Sequence, residues 1–326
     1  MNAVDHNNVV IFDDRGIPSI MCRFVRPKDT EEVPAVFKIG DKVADAIYIS
    51  KYPNIVIDGR AYSMPMADPT VNITFDGAVQ ACRCKGLGWH LMTAVEYEYL
   101  LNQSREKGTM PHGNTDWGKD YYHNDEQGKV SNLGRTYTGT GPVTWNHDHT
   151  PYGVSDLNGN VWEWLAGLRI KDGVIEFIPD NKAASPYRDL SKDSAEWQQA
   201  ETSKGPVRAN VECGEITITD AVAADDYEPD YDGVRIEKLE VELSEIPQVL
   251  KDLGIIPDKR AEEEGKTYVY FDATEGEYMP IRGSAFSITS NSGPSALDLA
   301  DPRSVSNGAI GFRSAFYEVN GKLITE

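Results

Sequence analysis

The sequence predicts an α+β fold with short antiparallel strands, two helices and much loop. Residues 8–12 and 46–52 are rich in β-branched and aromatic residues, a composition typical of strands. From 46 to about 170 the chain is dense in aromatic and turn residues. Two stretches with helix start and stop signals follow the second strand-like run, so both element types share one region.

The first helix is predicted over about 75–84, with Gly86 and Gly88 as its stop signals. The second begins with a capping box, in which Thr93 is the N-cap and Glu96 occupies the third helical position. Its predicted packing face consists of Tyr97, Tyr99, Leu100 and Leu101.

Composition and charge exclude several classes of protein. The 326 residues carry a formal charge of −20, with a pI of about 4.7. Nucleic acids and anionic membranes are bound through a basic face, which this chain does not supply. With 40% hydrophobic and 10% aromatic residues, the chain is too apolar for a disordered acidic protein. We expect a folded, soluble protein with neither nucleic acid nor membrane insertion.

The N-terminus and the cysteines favour folding in a cytoplasm. The first residues lack the basic and apolar regions of a secretory signal, and no stretch is long and apolar enough to span a membrane. Cys22, Cys82, Cys84 and Cys213 show no regular spacing, so we expect reduced thiols that mostly pack rather than a disulfide scaffold or zinc site.

The predicted organisation is one domain with two additions. Residues 1–45 form an N-terminal extension, and 46–318 form the domain, interrupted by an inserted acidic subdomain at 171–270. Between Glu212 and Glu264 there are 17 acidic and five basic residues. A solvated charged face explains this better than an EF-hand, because no loop has the EF-hand ligand spacing.

Within the insertion, residues 215–219 and 234–243 alternate like the strands of a hairpin. Residues 244–253 are predicted to form a short amphipathic helix, ended by Gly254 and Pro257.

Four sequence blocks occur in a characteristic order. They are residues 88–97, the run Gly159-Asn160-Val161-Trp162-Glu163-Trp164, residues 281–286 and the run Ile310-Gly311-Phe312-Arg313. Together they resemble the formylglycine-generating enzyme (sulfatase-modifying factor) family, over about 46–170 and 271–318. The resemblance implies a C-type-lectin-like fold.

The sequence lacks the residues that the enzyme family uses for catalysis. The family's oxidase activity depends on a pair of cysteines near the C-terminus that bind copper, whereas the last cysteine here is Cys213, before the final two blocks. His147-Asp148-His149 could ligate a metal, but a solvated loop is the favoured interpretation. We therefore predict a non-enzyme, with a formylglycine-generating-like oxidase as the alternative.

The C-terminal block resembles a second group with the same fold, the variable proteins of diversity-generating retroelements. In those proteins a reverse transcriptase rewrites adenines in the segment between two fixed motifs. If the template codon is AAC, then Lys, Glu, Gln, Met and Trp cannot appear. None of them occurs in residues 284–309, where about five would be expected at the chain's average composition. A Gly/Ser-rich surface loop would deplete the same residues and is the simpler alternative.

The resemblance divides this segment into a frame and a contact surface. The frame is predicted to comprise Arg282, Gly283, Leu297, Leu299, Ile310, Gly311, Phe312 and Arg313. The ligand-binding surface is predicted to comprise Ala285, Phe286, Ser287, Ile288, Ser295, Asp298, Ala300, Asp301, Val305, Asn307 and Ala309. Phe286 and Ile288 are its expected apolar anchors, although Phe286 stands where the family usually has Trp and could belong to the core.

The family resemblance also implies a structural calcium ion, with oxygen ligands from Asp156, Gly159, Val161 and Glu163. A metal-free Asn-Gly turn is the favoured alternative, and no other cofactor is expected.

The sequence thus predicts a ligand-binding protein diversified at its C-terminus. We expect a phage receptor-binding or surface-displayed protein that recognises a host-cell-surface protein or glycan. Its expected location is a phage virion or cell surface, after synthesis in the cytoplasm without a signal peptide.

Overall fold

The computed structural model describes residues 6–224 and 226–323. The helices in this part are α1 (Phe75–Arg83), α2 (Ala94–Lys107) and α3 (Gln248–Asp252). Short 3-10 helices occur at Ala35–Phe37, Val143–Trp145, Lys182–Ala184, Ile236–Lys238, Glu262–Lys266 and Thr289–Asn291.

Most of the regular structure consists of short strands. Those of the first half are β1 (His6–Phe12), β2 (Pro18–Val25), β3 (Lys38–Ile39), β4 (Lys42–Val43), β5 (Ala46–Ser50), β6 (Ile55–Ile57), β7 (Arg60–Tyr62), β8 (His90–Leu91) and β9 (Trp162–Trp164). Those of the middle are β10 (Leu168–Lys171), β11 (Val174–Phe177), β12 (Gln198–Gln199), β13 (Glu201–Thr202), β14 (Gly205–Pro206), β15 (Arg208–Glu212), β16 (Glu215–Thr219), β17 (Tyr231–Arg235) and β18 (Glu240–Glu242). The last are β19 (Tyr268–Asp272), β20 (Glu277–Arg282), β21 (Leu297–Pro302), β22 (Ile310–Phe312), β23 (Ser314–Val319) and β24 (Lys322–Leu323).

Two large sheets contain most of these strands, and the pairs β3-β4, β6-β7 and β13-β14 form separate two-stranded sheets. The smaller has the order β1-β2-β5-β23-β24, with β8 also paired to β23. The larger has the order β17-β19-β21-β20-β10-β11-β15-β16-β18, and β9, β12 and β22 attach to its side. Because β23 pairs with β5, the last strands of the chain lie beside the first, and this closes the fold.

Helix α2 begins at the capping box that the sequence predicts. The side chain of Thr93 accepts a hydrogen bond from the Glu96 amide at 3.2 Å, and the Glu96 carboxylate accepts one from the Thr93 amide at 2.8 Å. This reciprocal capping satisfies two otherwise unpaired amides at the start of α2. Gly108 follows the helix with a φ of +65°, a left-handed conformation that favours glycine. The predicted capping box is confirmed.

One large apolar core joins all three predicted parts of the chain. It contains Phe24 and Phe37 from the extension, Tyr97 from α2, and Ile216 and Leu250 from the acidic stretch. The boundaries at 45, 171 and 270 stay predictions, but residues on both sides of them pack together.

A second apolar cluster lies between α1 and the larger sheet. It contains Trp162 and Trp164 of β9, Ile281 of β20 and Phe75 of α1. The C-terminal segment lies directly against this cluster, since Ile310 and Phe312 belong to it.

Two predictions within the acidic stretch are wrong in detail. The expected strand over 234–243 is broken by the 3-10 helix Ile236–Lys238, where the Ile236 amide donates to the Thr267 carbonyl at 2.8 Å. As a result β17 pairs with β19 and β18 runs parallel to β16, so residues 215–219 and 234–243 do not form a hairpin with each other. Residues 215–219 instead form a hairpin with β15. The predicted helix over 244–253 begins only after Pro247 and is five residues long.

None of the helices in the described ranges is both long enough and apolar enough to cross a membrane.

Candidate functional site

The C-terminal segment leaves β20 through a sharp turn at Gly283. This residue has a φ of +89°, and a Cβ atom here would lie 2.6 Å from the Leu157 carbonyl oxygen. Its own carbonyl accepts a hydrogen bond from the Gly159 amide at 2.6 Å. The turn therefore requires glycine and docks against the loop that precedes β9.

Both ends of the segment are fixed in the larger sheet. Strand β21 lies between β19 and β20, and β22 pairs with β9. The connections 283–296 and 303–309 are loops apart from the 3-10 helix Thr289–Asn291. The segment is thus two surface loops held by three strands, an arrangement that tolerates sequence change in the loops.

The predicted frame residues are buried. Arg282, Gly283, Leu297, Leu299, Ile310, Gly311, Phe312 and Arg313 all have little or no exposed surface. At Gly311 a Cβ atom would lie 2.9 Å from the Thr70 carbonyl oxygen, so close backbone approach explains this glycine. All eight predicted frame residues therefore lie in the interior.

Arg313 and Glu163 form a buried ion pair that joins two of the sequence blocks. The Arg313 Nε donates to Glu163 Oε2 at 2.6 Å, and Nη2 donates to Oε1. The remaining guanidinium hydrogen bonds go to backbone carbonyls, including Ser50 at 3.0 Å and Ser155 at 3.1 Å. The sequence identified both residues as block members but did not predict that they pair.

A second buried network lies beneath the other end of the segment. Arg282 Nη1 donates to Glu98 at 3.1 Å, and Arg105 donates to both Glu98 and Glu264. Although burial raises it, the hydrogen bonds from Arg105 hold the pKa of the Glu264 carboxyl below its usual value. Glu264 also accepts a hydrogen bond from the Ser295 hydroxyl. Together with the hydrogen bond from Arg282 Nη2 to the Gly254 carbonyl at 3.2 Å, this carboxylate ties the acidic stretch to the frame.

Nine of the eleven predicted contact residues keep solvent-exposed surface. They are Phe286, Ser287, Ile288, Asp298, Ala300, Asp301, Val305, Asn307 and Ala309. Ala285 and Ser295 are fully buried, which corrects their predicted place on the surface. Ala285 packs in the second apolar cluster, and the Ser295 hydroxyl is held by Glu264, so both belong to the frame. Ligand contact by the other nine stays a prediction.

The apolar members of this set are half-buried. Phe286, Ile288, Val305 and Ala309 pack against the second apolar cluster while keeping an exposed side. The ring of Phe286 meets that of Trp117 edge-on, with centroids 6.3 Å apart. Phe286 therefore contributes to both the core and the exposed surface, so it can pack in the core and still be an apolar anchor of the predicted ligand-binding surface.

Two carboxylates of the segment have unusual environments. Burial, together with nearby Asp301 and Asp272, raises the pKa of the Asp298 carboxyl to about 7. Burial also raises the pKa of Asp301. The Asp298 side chain accepts a hydrogen bond from the Ala300 amide at 2.8 Å. Both aspartates are half-buried, and their carboxylates lie near enough to interact electrostatically.

A loop outside the predicted site lies directly beside it. The Trp117 amide donates to the Phe286 carbonyl at 2.8 Å, and the Thr289 amide donates to the Thr115 carbonyl at 3.0 Å. The Tyr122 hydroxyl donates to the Ser290 carbonyl at 2.8 Å. These loop residues lie outside the predicted site, although the three aromatics at 117, 121 and 122 are a sequence signal of an interaction surface.

The residues implied for calcium do not fit that ion. Both Glu163 oxygens already accept hydrogen bonds from the Arg313 guanidinium, so a dication would lie beside a buried positive charge. The Asp156 carboxylate accepts a hydrogen bond from the Gly139 amide at 2.9 Å, and burial raises its pKa to about 6. Within residues 6–224 and 226–323, no three His, Cys, Asp or Glu side chains are grouped to hold a metal ion.

The interpretation of His147-Asp148-His149 as a solvated loop is wrong. His147 and Asp148 are buried, and the His147 Nδ1 accepts a hydrogen bond from the Val154 amide at 2.9 Å. His149 Nε2 lies 3.1 Å from the Met110 carbonyl oxygen. These polar side chains stabilise the turn before β9.

The four cysteines are free thiols. Cys22 and Cys82 are buried and Cys84 is half-buried, whereas Cys213 is exposed in the turn between β15 and β16. The prediction that most of them pack is confirmed.

Two large sheets of short strands, two capped helices and a buried Arg–Glu pair that joins the sequence blocks make this an α+β protein. A family model described as the sulfatase-modifying factor enzyme 1-like domain matches residues 51–214, half of the chain. The chain belongs to this family. Mouse (Mus musculus) formylglycine-generating enzyme is 36% identical over 105 residues, which cover 30% of this chain and 27% of the mouse protein. The chain thus spans about a quarter of that relative.

Several solved structures resemble the chain loosely. The Major Tropism Determinant P3c variant has a TM-score of 0.35 and 12% identity, covering 97% of this chain and 56% of that one. The U1 variant of the same protein gives 0.34 and 12%, with the same coverage. Treponema denticola variable protein 1 gives 0.36 and 12%, covering 95% of this chain and 99% of that one. Likenesses at this level are too weak to support a function.

Proposed function

We propose that the chain is a ligand-binding protein whose segment 284–309 is diversified by a retroelement. It serves as a phage receptor-binding or surface-displayed protein and recognises a host-cell-surface protein or glycan. One observation carries the proposal. Within a single segment, every predicted frame position is buried, and nine of eleven predicted contact positions keep exposed surface.

The geometry gives a physical reason why such a segment can vary. Exposed side chains on loops usually change the free energy of unfolding by no more than about 0.5 kcal/mol each. The energy that holds the segment comes from buried strands and from the Arg282 and Arg313 networks, which a change at the exposed positions leaves in place. The fold therefore separates stability from ligand specificity.

The genome that carries this gene provides the test. We expect a neighbouring reverse-transcriptase gene and a second copy of the codons for 284–309 that differs only at adenines. If the complete genome contains neither, the proposed function is wrong.

An enzyme is the second candidate, because the chain belongs to a family that includes formylglycine-generating enzyme. That activity would need a thiol pair near the C-terminus, and the sequence has no cysteine after Cys213. We expect the purified chain, supplied with copper and oxygen, to leave a cysteine-containing peptide unoxidised. Turnover of the peptide to an aldehyde would favour the enzyme instead.

A further inference from the structure

Strand β21, which carries Asp298 and Ala300, lies beside β19, and β19 lies beside β17. The three strands share one outer face. Tyr270 of β19 lies opposite Asp298 in the parallel register. Strand β17 pairs with the other side of β19, placing Gly233 opposite Tyr270 and Tyr231 opposite Asp272. Residues opposite one another in a sheet share a face, so these side chains lie together.

The alternation of burial shows which face this is. Val234, Val269, Phe271, Leu297 and Leu299 are buried in the large core. Because successive side chains of a strand point to opposite faces, the residues between them point away from that core. These are Tyr231, Gly233, Tyr270, Asp272, Asp298 and Ala300, all of which keep exposed surface.

The ring of Tyr270 is held flat on this face. A Cβ atom on Gly233 would lie 2.2 Å from the Tyr270 ring, so the ring covers the glycine, where any larger residue would displace it. Tyr268 flanks it, with ring centroids 5.8 Å apart. Tyr231, on the neighbouring strand, is half-exposed. An aromatic that is already fixed loses little conformational freedom when a partner binds.

The carboxylates on this face lack a cationic partner. Asp272 accepts hydrogen bonds from the Thr274 amide at 2.9 Å and from its hydroxyl at 2.6 Å, and Asp298 accepts one from an amide. In the described part of the chain, none of the ion pairs includes Asp272 or Asp298. Arg235, at the other end of β17, is paired with Glu237 at 4.0 Å. A bound guanidinium or ammonium would relieve the repulsion between the Asp272 and Asp298 carboxylates.

We propose that the ligand-binding surface extends beyond residues 284–309 onto this face, where Tyr231, Tyr270 and Asp272 form a fixed half. The partner is a folded protein that presents Arg or Lys side chains to the fixed half. This inference rests on the proposed function, because it assumes that the adjacent segment binds a ligand.

A protein fits this face better than a small molecule does. Small ligands are usually enclosed by concave pockets, whereas the outer side of three paired strands is an open surface. Tyr beside unpaired carboxylates offers an arginine both a stacking partner and an acceptor. The fixed half would supply affinity for basic proteins in general, and the variable half would select among them.

The test uses selection from a displayed library of the full chain. Ser287, Ile288, Val305 and Asn307 are randomised, and clones are selected against lysozyme, a basic folded protein, and against ovalbumin, an acidic one. Tyr231→Ala and Asp272→Asn are then introduced separately into the lysozyme binders. Tyr187→Ala and Asp193→Asn are matched controls, because both residues are exposed and lie outside these strands.

We expect more lysozyme binders than ovalbumin binders, and a loss of about tenfold or more in affinity with either change on the fixed half. The controls should change affinity by less than about twofold. Lysozyme binders that tolerate both changes would overturn the fixed half while leaving the proposed function standing. Equal numbers of ovalbumin binders would overturn the basic partner. A library that yields no binder to either protein would overturn the proposed function as well.

Discussion

Arg313 and Glu163 show how one buried pair links distant parts of the sequence. Each side chain is almost completely enclosed, and the two blocks that contain them are about half the chain apart. Removing one partner leaves an unpaired charge in the core, which typically costs about 3–5 kcal/mol. We predict that Arg313→Met lowers the free energy of unfolding by that amount, measured by denaturant titration.

The matched control is Asp76→Asn, which breaks the contact of an exposed carboxylate with Arg303. That change should cost about 1 kcal/mol or less. If the two variants were equally stable, the buried pair would not hold the blocks together.

Asp298 makes a pH-dependent contribution to stability. Its folded pKa of about 7 exceeds its ordinary value of 3.8, so the folded state retains a proton that the unfolded state releases between these limits. Stability from this group therefore falls as the pH rises from about 4 to about 7. The groups that face it are Asp301, Asp272, Tyr270 and Tyr231.

We predict that Asp298→Asn is more stable than the parent at pH 8, by on the order of 1 kcal/mol, and that the difference shrinks towards pH 4. Unfolding curves at several pH values measure this, and exposed Asp193→Asn should leave the profile unchanged. A constant difference at all pH values would contradict the raised pKa.

At the scale of single elements, the turn after β20 decides where the loop 283–296 begins. Gly283→Ala would place a methyl group 2.6 Å from the Leu157 carbonyl oxygen in a left-handed backbone conformation. We predict a loss of about 2–4 kcal/mol in the free energy of unfolding, measured by thermal and denaturant melts.

Gly308 provides the comparison within the same segment. A Cβ atom there meets nothing within 4 Å, and the residue is not among those with a positive φ. Gly308→Ala should change stability by no more than about 0.5 kcal/mol. Similar losses for both variants would mean that the turn at Gly283 is not specifically constrained.

Elements with strong local signals were predictable. The capping box at Thr93 specified the start of α2, and the alternation at 215–219 specified β16, because both depend on residues close together in the chain. Residues 234–243 alternate equally well, yet their strand is broken at Ile236–Lys238. There the Ile236 amide bonds to the Thr267 carbonyl, a contact with a residue 31 positions away that no local pattern contains.

At the scale of the whole molecule, we predict that substitutions at the exposed positions of the C-terminal segment lower the free energy of unfolding less than a substitution in its buried frame. Combining Ser287→Asn, Ala300→Ser, Asp301→Asn and Asn307→Ser should lower the free energy of unfolding by no more than about 2 kcal/mol. Leu299→Ala alone, in the buried frame, should cost about 2–5 kcal/mol.

Thermal unfolding of the two variants, followed by circular dichroism, measures the difference in stability. A quadruple variant that unfolds more readily than Leu299→Ala would show that the exposed positions carry the stability, and the division of the segment would be wrong.

The sequence by itself determined the family, the α+β class, the helix caps and the frame of the C-terminal segment. Each depends on short motifs or local periodicity, which the order of residues records directly. It also located the segment that we propose to vary, through the residues absent from 284–309.

Only the tertiary structure decided which residues meet across the chain. It paired Glu163 with Arg313, buried Ala285 and Ser295, and placed Trp117 against Phe286 and Tyr270 beside Asp298. These contacts arise from strand order and packing, in which residues far apart in sequence become neighbours. The physical reason is that burial and pairing belong to the assembled sheet, whereas local sequence specifies only the strands and turns from which the sheet is built.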